Sequence, residues 1–453
     1  MVHKFRAGGL FLALDIFSNG VHILDELSYK LLDFAGEDMP QVCPSIAYEE
    51  LKEYSKDDID ECYDELLELH KKGILFSNDT YAKIAESMGP APIKSMCLNV
   101  AHDCNLRCEY CFAAKGDFGQ GRMLMPLEIG KKAIDFMIEK SMGRHNLELD
   151  FFGGEPLMNF DVVKGVVEYA RSREKETNKN FRFTITTNGM LLNEENIDYI
   201  NKEMFNVVLS IDGCKETNDK MRVAPNGTGS YDIIIPKFKK LVEKRGEDKS
   251  YYVRGTYTHF NTDFAKDVMH LYDLGFDQIS VEPVVCDKEL PYALTDADLP
   301  LIFNEYDKLA NEILTLKKNG SHINFFHFMI DLNGGPCAIK RLRGCSCGNE
   351  YVAVTPEGDI YPCHQFVGVE EFKMGNLVDN TFNNEMKKDF SAINVYKKED
   401  CDNCFAKFYC SGVCTANNYQ YGGGFFKPHK YSCELQRKRL ENSIMIQALL
   451  AQN

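Results

Sequence analysis

The chain has 453 residues, of which 44% are hydrophobic, and its formal net charge is −16 at neutral pH. This length allows two to four domains, and the acidic balance argues against DNA or RNA as a partner, because phosphate binding needs a basic surface. No apolar run approaches the roughly 20 residues that span a bilayer, and Asp15 interrupts the apolar stretch 9–17, so neither a membrane nor a secretory signal is indicated. We therefore expect a cytoplasmic protein.

Residues 1–90 have the pattern of a small separate module, with a turn signal at 18–20. Its predicted elements are strands at 11–16 and 21–24, helices at 25–34, 46–54 and 59–72, and a short strand at 74–76. The stretch 87–92, which contains Gly and Pro, marks the boundary. One interpretation of residues 1–90 is a winged helix that binds DNA, but the acidic residues between 49 and 61 argue against DNA binding.

Residues 93–285 alternate strand-like and helix-like runs. The strand-like runs begin near Lys94, Leu147, Phe181, Asn206, Tyr252 and Gln278. Six βα units predict a parallel sheet that curves into an incomplete barrel, because eight units are needed for closure. Catalytic groups in such sheets lie at the carboxyl ends of the strands.

The first predicted strand of this region ends at three closely spaced cysteines, Cys104, Cys108 and Cys111, in the order C-x3-C-x2-C. Three thiolates on a short loop can hold three corners of an iron–sulfur cube and leave the fourth iron open to a chelating cofactor. A zinc site is the alternative. Zinc needs a fourth ligand, and His102 lies too close to Cys104 to supply it easily.

Other predicted strands of this region also end in glycines or small polar residues, where a backbone can approach a ligand. These ends are Gly153-Gly154-Glu155-Pro156, Thr187-Asn188-Gly189, Ser210-Ile211-Asp212-Gly213 and Val281-Glu282-Pro283. One such loop would be an ordinary turn. Five of them, counting the cysteine loop, follow the carboxyl ends of parallel strands and indicate that they line one binding site.

Most of the 17 cysteines lie in the cysteine loop or in a carboxyl-terminal array. The array contains Cys337, Cys345, Cys347, Cys363, Cys401, Cys404, Cys410, Cys414 and Cys433. A hairpin is predicted at 351–363 and a closing helix at 434–451. Such an array can hold iron–sulfur clusters or, as the alternative, structural zinc. The remaining cysteines stand alone in the sequence and are expected to fill space in the core; these are Cys43, Cys62, Cys97, Cys214 and Cys286.

The cysteine loop, with an aromatic residue before its last cysteine, resembles that of the radical S-adenosylmethionine (SAM) enzymes. The resemblance implies a [4Fe-4S] cluster on that loop, which passes one electron to bound SAM. It also implies a SAM site with Tyr110 near the adenine, backbone contacts at the amino group with Glu155 structural, and Ser210 plus an arginine at the carboxylate. The implied cofactor-binding residues are Tyr110, Gly153, Gly154, Glu155, Asn188, Ser210, Asp212 and either Arg222 or Arg254.

The carboxyl-terminal array resembles the SPASM domain, which holds two auxiliary clusters and would bring the total to three [4Fe-4S] clusters. The resemblance assigns one cluster to Cys401, Cys404, Cys410 and Cys433. The other would use Cys363 and Cys414 with one or two upstream cysteines, Cys345 or Cys347 or both, while Cys337 lies farther away. If only one upstream cysteine is a ligand, that cluster keeps an open iron, for which a substrate thiolate is a natural ligand.

The order of the modules resembles the maturases of SCIFF peptides, which are small, cysteine-rich and ribosomally made. Residues 1–90 would be a winged-helix-like module that binds the peptide's leader as an added strand. Residues 91–290 would form the α/β partial (β/α)6 radical SAM barrel and 291–336 a helical connection. Residues 337–436 would form the SPASM domain, followed by a helix at 437–453.

This resemblance implies a cytoplasmic enzyme of an anaerobe that links a cysteine sulfur to a carbon of another residue through a thioether, as in sactipeptides. It also implies an electron donor such as flavodoxin or ferredoxin. The rival enzymes are a sulfatase maturase, a peptide epimerase and a carbon–carbon cyclase. A further rival is a non-enzymatic iron–sulfur electron carrier, although such a carrier has no use for a SAM site.

Overall fold

The computed structural model describes residues 1–332 and 338–452. It has a three-stranded amino-terminal sheet and a twelve-stranded sheet that runs through the rest of the chain. Cys337, one of the candidate cluster ligands, lies outside the described residues. No helix within the described ranges is long and apolar enough to cross a membrane.

The amino-terminal sheet is antiparallel, in the order β1–β2–β3, and helices pack on it. Its elements are β1 (Val2–Ala7), β2 (Leu10–Asp15), β3 (Val21–Leu24), α1 (Glu26–Leu31), α2 (Ser45–Glu50), α3 (Lys56–Lys71) and α4 (Tyr81–Ser87). The predicted hairpin and three helices are confirmed, whereas β1 was not predicted.

The short strand predicted at 74–76 is wrong, because side chains satisfy this backbone instead of a neighbouring strand. His22 Nε2 lies 2.8 Å from the Ile74 carbonyl oxygen, and the Asp15 carboxylate accepts from the Ser77 N–H at 2.9 Å. Phe76 adopts a left-handed backbone with φ of 49°, which ends any extended run.

The second sheet has a parallel core in the order β11–β10–β9–β8–β7–β6–β4, and β5 is antiparallel to the end of β4. The strands are β4 (Ser95–His102), β5 (Met123–Leu124), β6 (Asn146–Gly153), β7 (Asn180–Thr187), β8 (Met204–Ser210), β9 (Ser250–Tyr257), β10 (Gln278–Pro283) and β11 (Asn324–Phe325). The helices are α5 (Leu127–Lys140), α6 (Phe160–Thr177), α7 (Glu194–Glu203), α8 (Lys215–Met221), α9 (Tyr231–Glu243), α10 (Ala265–Asp273) and α11 (Leu299–Lys318). The six predicted strands are confirmed as β4, β6, β7, β8, β9 and β10, and the short β11, which was not predicted, adds a seventh parallel strand.

One face of each core strand packs against the helices, and the other faces the interior of the open barrel. In β6, Leu147, Leu149 and Phe151 are fully buried, whereas the intervening Asp150 and Phe152 are only partly buried. This alternation follows from the two-residue period of a strand. The polar interior face leads to the rim at which the predicted binding loops meet.

The carboxyl-terminal region continues the barrel sheet rather than forming a detached hairpin. β12 (Tyr351–Val354) pairs in parallel with β4, and β13 (Asp359–Tyr361), β14 (Gly375–Asn376) and β15 (Thr381–Phe382) follow in antiparallel order. The helices are α12 (Ala338–Arg343), α13 (Asn384–Ser391), α14 (Lys407–Cys410), α15 (Thr415–Asn417) and α16 (Lys430–Ala451). The pairing covers the edge of β4 that would otherwise be open, and α16 runs through the predicted boundary at 436.

A buried carboxylate holds β4 and β12 in this register. Glu350 is 1% exposed and contacts Arg144 Nη2 at 2.7 Å and Lys94 Nζ at 3.4 Å. Its backbone carbonyl also accepts from the N–H groups of Lys94 and Ser95. The start of the barrel and the start of the SPASM hairpin therefore share one junction.

Replacing Glu350 with Gln is expected to lower the free energy of unfolding by about 1–2 kcal/mol, because the buried contacts to Arg144 and Lys94 lose their charge while both cations stay partly solvated. Thermal unfolding of the anaerobically purified protein, followed by circular dichroism, measures this. Glu128→Gln, which removes an exposed ion pair with Lys131, is the control and should change stability by less than about 0.5 kcal/mol. Equal effects of the two substitutions would contradict the structural role of Glu350.

Candidate active site

The loop after β4 carries Cys104, Cys108 and Cys111, and all three side chains are partly exposed. Burial raises the pKa of Cys104 to about 12, and the negative charges of Glu155 and of the other two thiols act in the same direction. The three thiols are therefore close enough to interact electrostatically. Three neighbouring thiols lose their protons together only beside strong positive charge, such as bound metal ions supply.

Two glycines at the end of β6 bring the backbone against this loop. The Gly154 N–H donates to the Ala101 carbonyl at 2.7 Å, and the Glu155 N–H donates to the Asp103 carbonyl at 2.8 Å. A Cβ atom on Gly153 would lie 2.2 Å from the Ala101 oxygen, and one on Gly154 would lie 2.1 Å from the Asp103 oxygen. Only residues without a side chain fit this approach.

Glu155 binds the β6 loop to the end of β7. Its carboxylate is 1% exposed and accepts from Thr187 Oγ1 at 2.7 Å, the Asn188 N–H at 2.8 Å and the Leu157 N–H at 3.1 Å. Burial raises the pKa of Glu155 to about 7, and these hydrogen bonds oppose the rise. Glu155 therefore has a structural role, because it holds the two loops together. The side-chain amide nitrogen of Asn188 lies 3.6 Å from Cys104 Sγ.

Tyr110 connects the cysteine loop to two residues far away in sequence. Its hydroxyl donates to the Asp212 carboxylate at 2.7 Å and accepts from Arg222 Nη1 at 2.9 Å. Asp212 also accepts from the Thr256 N–H, and burial raises the pKa of Asp212 to about 6 against the lowering effect of Arg222. The three side chains form a buried charged group directly beneath the loop.

The two candidate arginines occupy different places. Arg222 is 8% exposed within the Tyr110–Asp212 group, and its Nε atom has no hydrogen-bond partner. Arg254 lies on β9, half exposed, and its Nη2 atom is 3.0 Å from the Glu282 carboxylate. Ser210 ends β8 opposite Arg254 in the strand register. The structure thus brings both arginines to the rim but does not bring them together.

The first auxiliary set is defined as Cys345, Cys347, Cys363 and Cys414, whose side chains interact with one another. Left-handed φ angles at Gly344 (64°), Ser346 (56°) and Gly348 (70°) curl the loop, so that Cys345 and Cys347 face the same space. The hydrogen bond from the Cys347 thiol lowers the pKa of Cys345 to about 6, and the pKa of Cys347 is raised. Both upstream cysteines are therefore candidates for the same cluster.

The second auxiliary set is defined as Cys401, Cys404, Cys410 and Cys433, and all four line one cavity of about 290 Å³. Burial raises the pKa of Cys401 to about 11 and that of Cys433 to about 12, and neighbouring thiols contribute. No three His, Cys, Asp or Glu side chains in the described parts of the chain are arranged to hold a single metal ion. Four thiols around a cavity of this volume suit an inorganic cluster that is larger than one ion.

Sequence patterns did not single out His364, which lies between the first auxiliary set and the cysteine loop. Its ring centroid is 5.3 Å from that of Phe112 and 5.2 Å from that of Phe152, and its Nδ1 atom is 3.2 Å from the Tyr351 hydroxyl. Burial lowers the pKa of His364 to about 4, and Arg254 adds to this effect. Its position directly after Cys363 was the only available signal.

A second cavity, of about 430 Å³, opens between the loop that follows β10 and the start of α16. The residues that line it include Val284, Cys286, Leu294, Tyr421, Pro428 and Tyr431. Tyr292 in the loop after β10 is close enough to Glu109 and Cys111 for their charges to raise its pKa, although burial is the larger cause. The cavity shares Glu399, Pro428 and Lys430 with the cavity of the second auxiliary set, so the two cavities are neighbours.

Replacing Gly154 with Ala is expected to remove most of the iron held by the cysteine loop and to abolish SAM cleavage, because the new methyl group meets the Asp103 and Gly116 carbonyls at 2.1 and 2.9 Å. Iron content and the electron paramagnetic resonance (EPR) signal of the reduced protein with SAM measure the effect. Gly143→Ala, with no atom within 4 Å of the new Cβ, is the matched control. Normal iron content and SAM cleavage in Gly154→Ala would contradict this account of the loop.

Comparison with known proteins supports a fold and a domain assignment. Residues 98–274 match the radical SAM superfamily, and residues 345–405 match SPASM, an iron–sulfur cluster-binding domain. The structure of anSMEcpe with bound AdoMet superimposes with a TM-score of 0.67 at 19% identity, covering 79% of this chain and 99% of that chain. At this identity the likeness shows the fold alone.

Two curated relatives cover most of the chain. A cysteine-type anaerobic sulfatase-maturating enzyme of Clostridium novyi is 27% identical over 331 residues, 70% of this chain and 86% of that protein. The antilisterial bacteriocin subtilosin biosynthesis protein AlbA of Bacillus subtilis is 23% identical over 444 residues, 91% of this chain and 90% of that protein. The chain therefore combines a radical SAM domain with a SPASM iron–sulfur cluster-binding domain, and SPASM-type maturases are among its homologues.

Proposed function

We propose that this protein is a peptide maturase that forms intramolecular thioether bridges in a ribosomally made, cysteine-rich precursor. The observation that carries the proposal is the presence, in one chain, of the cysteine loop, two further cysteine sets and an amino-terminal sheet in which β3 is an edge strand. A similarity to a bacteriocin biosynthesis protein over 91% of the chain supports a peptide product. Sulfatase maturation is the second candidate, supported by the 27% identical relative.

The proposed cofactors are SAM and three [4Fe-4S] clusters. The loop cysteines would hold the SAM-binding cluster, and each auxiliary set would hold one cluster, with flavodoxin or ferredoxin as electron donor. When bound and reduced, the first cluster and SAM supply a 5′-deoxyadenosyl radical, which abstracts hydrogen from carbon. Tyr110, Asp212 and Arg222 fix the loop, while Asn188, Ser210 and either Arg222 or Arg254 are proposed contacts for SAM.

Each bridge removes two hydrogen atoms from the peptide. The carbon-bound hydrogen ends on 5′-deoxyadenosine, the thiol proton leaves to solvent, and the electron released on sulfur–carbon bond formation needs an acceptor, for which the auxiliary sets are the candidate holders. The cavity of about 430 Å³ next to that of the second auxiliary set has room for a segment of the peptide. The aromatic rings of Phe112 and Phe152, which pack against His364, would help to exclude water from the side of the cysteine loop.

The proposal is tested by anaerobic reconstitution with SAM, a strong reductant and the candidate precursor peptide. We expect 5′-deoxyadenosine together with a peptide lighter by two hydrogens for each bridge, and none of either from Cys108→Ala. An electron carrier would form no 5′-deoxyadenosine in any condition. An unchanged peptide mass with deuterium gained from heavy water would replace the proposal with epimerisation.

The leader is expected to bind along β3. Ile23 on this strand is 42% exposed, and an added strand would pack beside it. Ile23→Glu should weaken binding of a fluorescently labelled leader about tenfold, roughly 1.4 kcal/mol, as measured by anisotropy with the full-length protein. Ile84→Glu, which changes an isoleucine of similar exposure on α4, is the control and should leave binding unchanged. Equal weakening by the two variants would remove β3 as the leader site.

A further inference from the structure

A buried lysine lies between the two auxiliary sets. Lys398 is 4% exposed, and its Nζ atom donates to the Gly412 carbonyl at 2.8 Å and to the Ser411 carbonyl at 3.4 Å. Those two carbonyls belong to the short segment between Cys410, of the second set, and Cys414, of the first set. The lysine is therefore fixed at the connection between the sets.

The backbone of this connection is shaped to receive the ammonium group. Ser411, Gly412 and Val413 have consecutive left-handed φ angles of 59°, 77° and 52°. Such conformations are costly for residues other than glycine and persist only where the surroundings enforce them. The Cys401 N–H donates to the Lys398 carbonyl at 3.2 Å, so the lysine is also tied to the first cysteine of the second set.

Within residues 1–332 and 338–452, Lys398 Nζ donates to two neutral carbonyls and forms no ion pair with a carboxylate. An isolated buried ammonium is expensive unless opposite charge lies nearby. The thiols on either side are the available source of that charge. Lys398 comes three residues before Cys401, and its two acceptor carbonyls lie between Cys410 and Cys414, so cysteines of both sets flank the ammonium group along the chain.

We propose that Lys398 is a shared electrostatic positioning residue that raises the reduction potentials of both auxiliary clusters at once. A [4Fe-4S] cluster with four thiolates is anionic, and one-electron reduction adds a further negative charge. A fixed positive charge in a low-dielectric interior stabilises the reduced form, and local charge is one of the factors that set cluster potentials. One lysine between the two sets makes both clusters easier to reduce.

The inference rests on the proposed clusters but not on the peptide reaction, so its test measures potentials rather than product. In a full-length background in which Cys104, Cys108 and Cys111 are replaced by Ala, only the two auxiliary clusters remain. Lys398→Met is expected to move both midpoint potentials to more negative values in an EPR-monitored redox titration. Lys398→Gln, which keeps a hydrogen-bond donor without charge, should behave like Lys398→Met, and Lys398→Arg should stay close to the unsubstituted background.

Lys407 provides the matched control. It is a lysine of similar burial, 2% exposed, which lines the cavity of the second set and donates to the Asp402 carbonyl at 3.0 Å. Lys407→Met should leave the first auxiliary cluster unchanged. A shift of both clusters in Lys407→Met as large as that in Lys398→Met would overturn the proposal, as would unmoved potentials in Lys398→Met.

Cluster assembly gives a second readout if the neutral variants bind less iron. Loss of both auxiliary clusters in Lys398→Met and Lys398→Gln, with retention in Lys398→Arg, would show that both clusters depend on the positive charge at position 398. Loss of only one cluster, or equal loss in Lys398→Arg, would contradict a shared electrostatic role.

Discussion

The cysteine loop has little regular structure of its own, and backbone hydrogen bonds from its neighbours determine its position. Gly154 and Glu155 donate to carbonyls at its start, and its Arg107 and Glu109 N–H groups donate to the Val223 and Met221 carbonyls. These bonds join the loop to the ends of β6 and α8. The protein's own backbone therefore positions the three thiols, which would lower the entropy cost of assembling the proposed cluster site.

The continuous sheet also positions the first auxiliary set relative to the cysteine loop. Because β12 pairs with β4, the strand that leads into the cysteine loop also anchors the hairpin that leads into Cys363. His364 and Phe112 then meet between the two cysteine groups, with ring centroids 5.3 Å apart. The cysteine loop and the first auxiliary set are thus held by one hydrogen-bonded ladder, and relative motion between them is restricted.

Sequence patterns predicted the parts of the fold that depend on local order. The six parallel core strands were predictable because buried runs such as 147–152 alternate with amphipathic helices. The cysteine loop was singled out by its short spacing, whereas the two carboxyl-terminal sets were assigned from the resemblance to the SPASM domain. The contacts that organise the site were not predictable, since Tyr110, Asp212 and Arg222 come from separate elements. The parallel pairing of β12 with β4 likewise depends on tertiary packing.

Two local predictions also depended on contacts that the nearby sequence does not reveal. The segment 74–76 has strand-like residues, but the Asp15 and His22 side chains bind the backbone of residues 74 and 77 instead. The sequence left open whether Cys345 and Cys347 reach one site, and the left-handed turn at Ser346 between them depends on backbone geometry that the residue pattern does not reveal. The ligand assignment itself stays a prediction, and Cys337 lies outside the described residues.

The central claim is sulfur–carbon bond formation, and the most direct test is to count peptide thiols before and after turnover. The product is treated with an alkylating reagent and weighed, and tandem fragmentation then locates the modified carbon. The account predicts one alkylatable thiol fewer for every two hydrogens lost. The same loss of hydrogen with every thiol still alkylated would contradict it and would indicate carbon–carbon coupling.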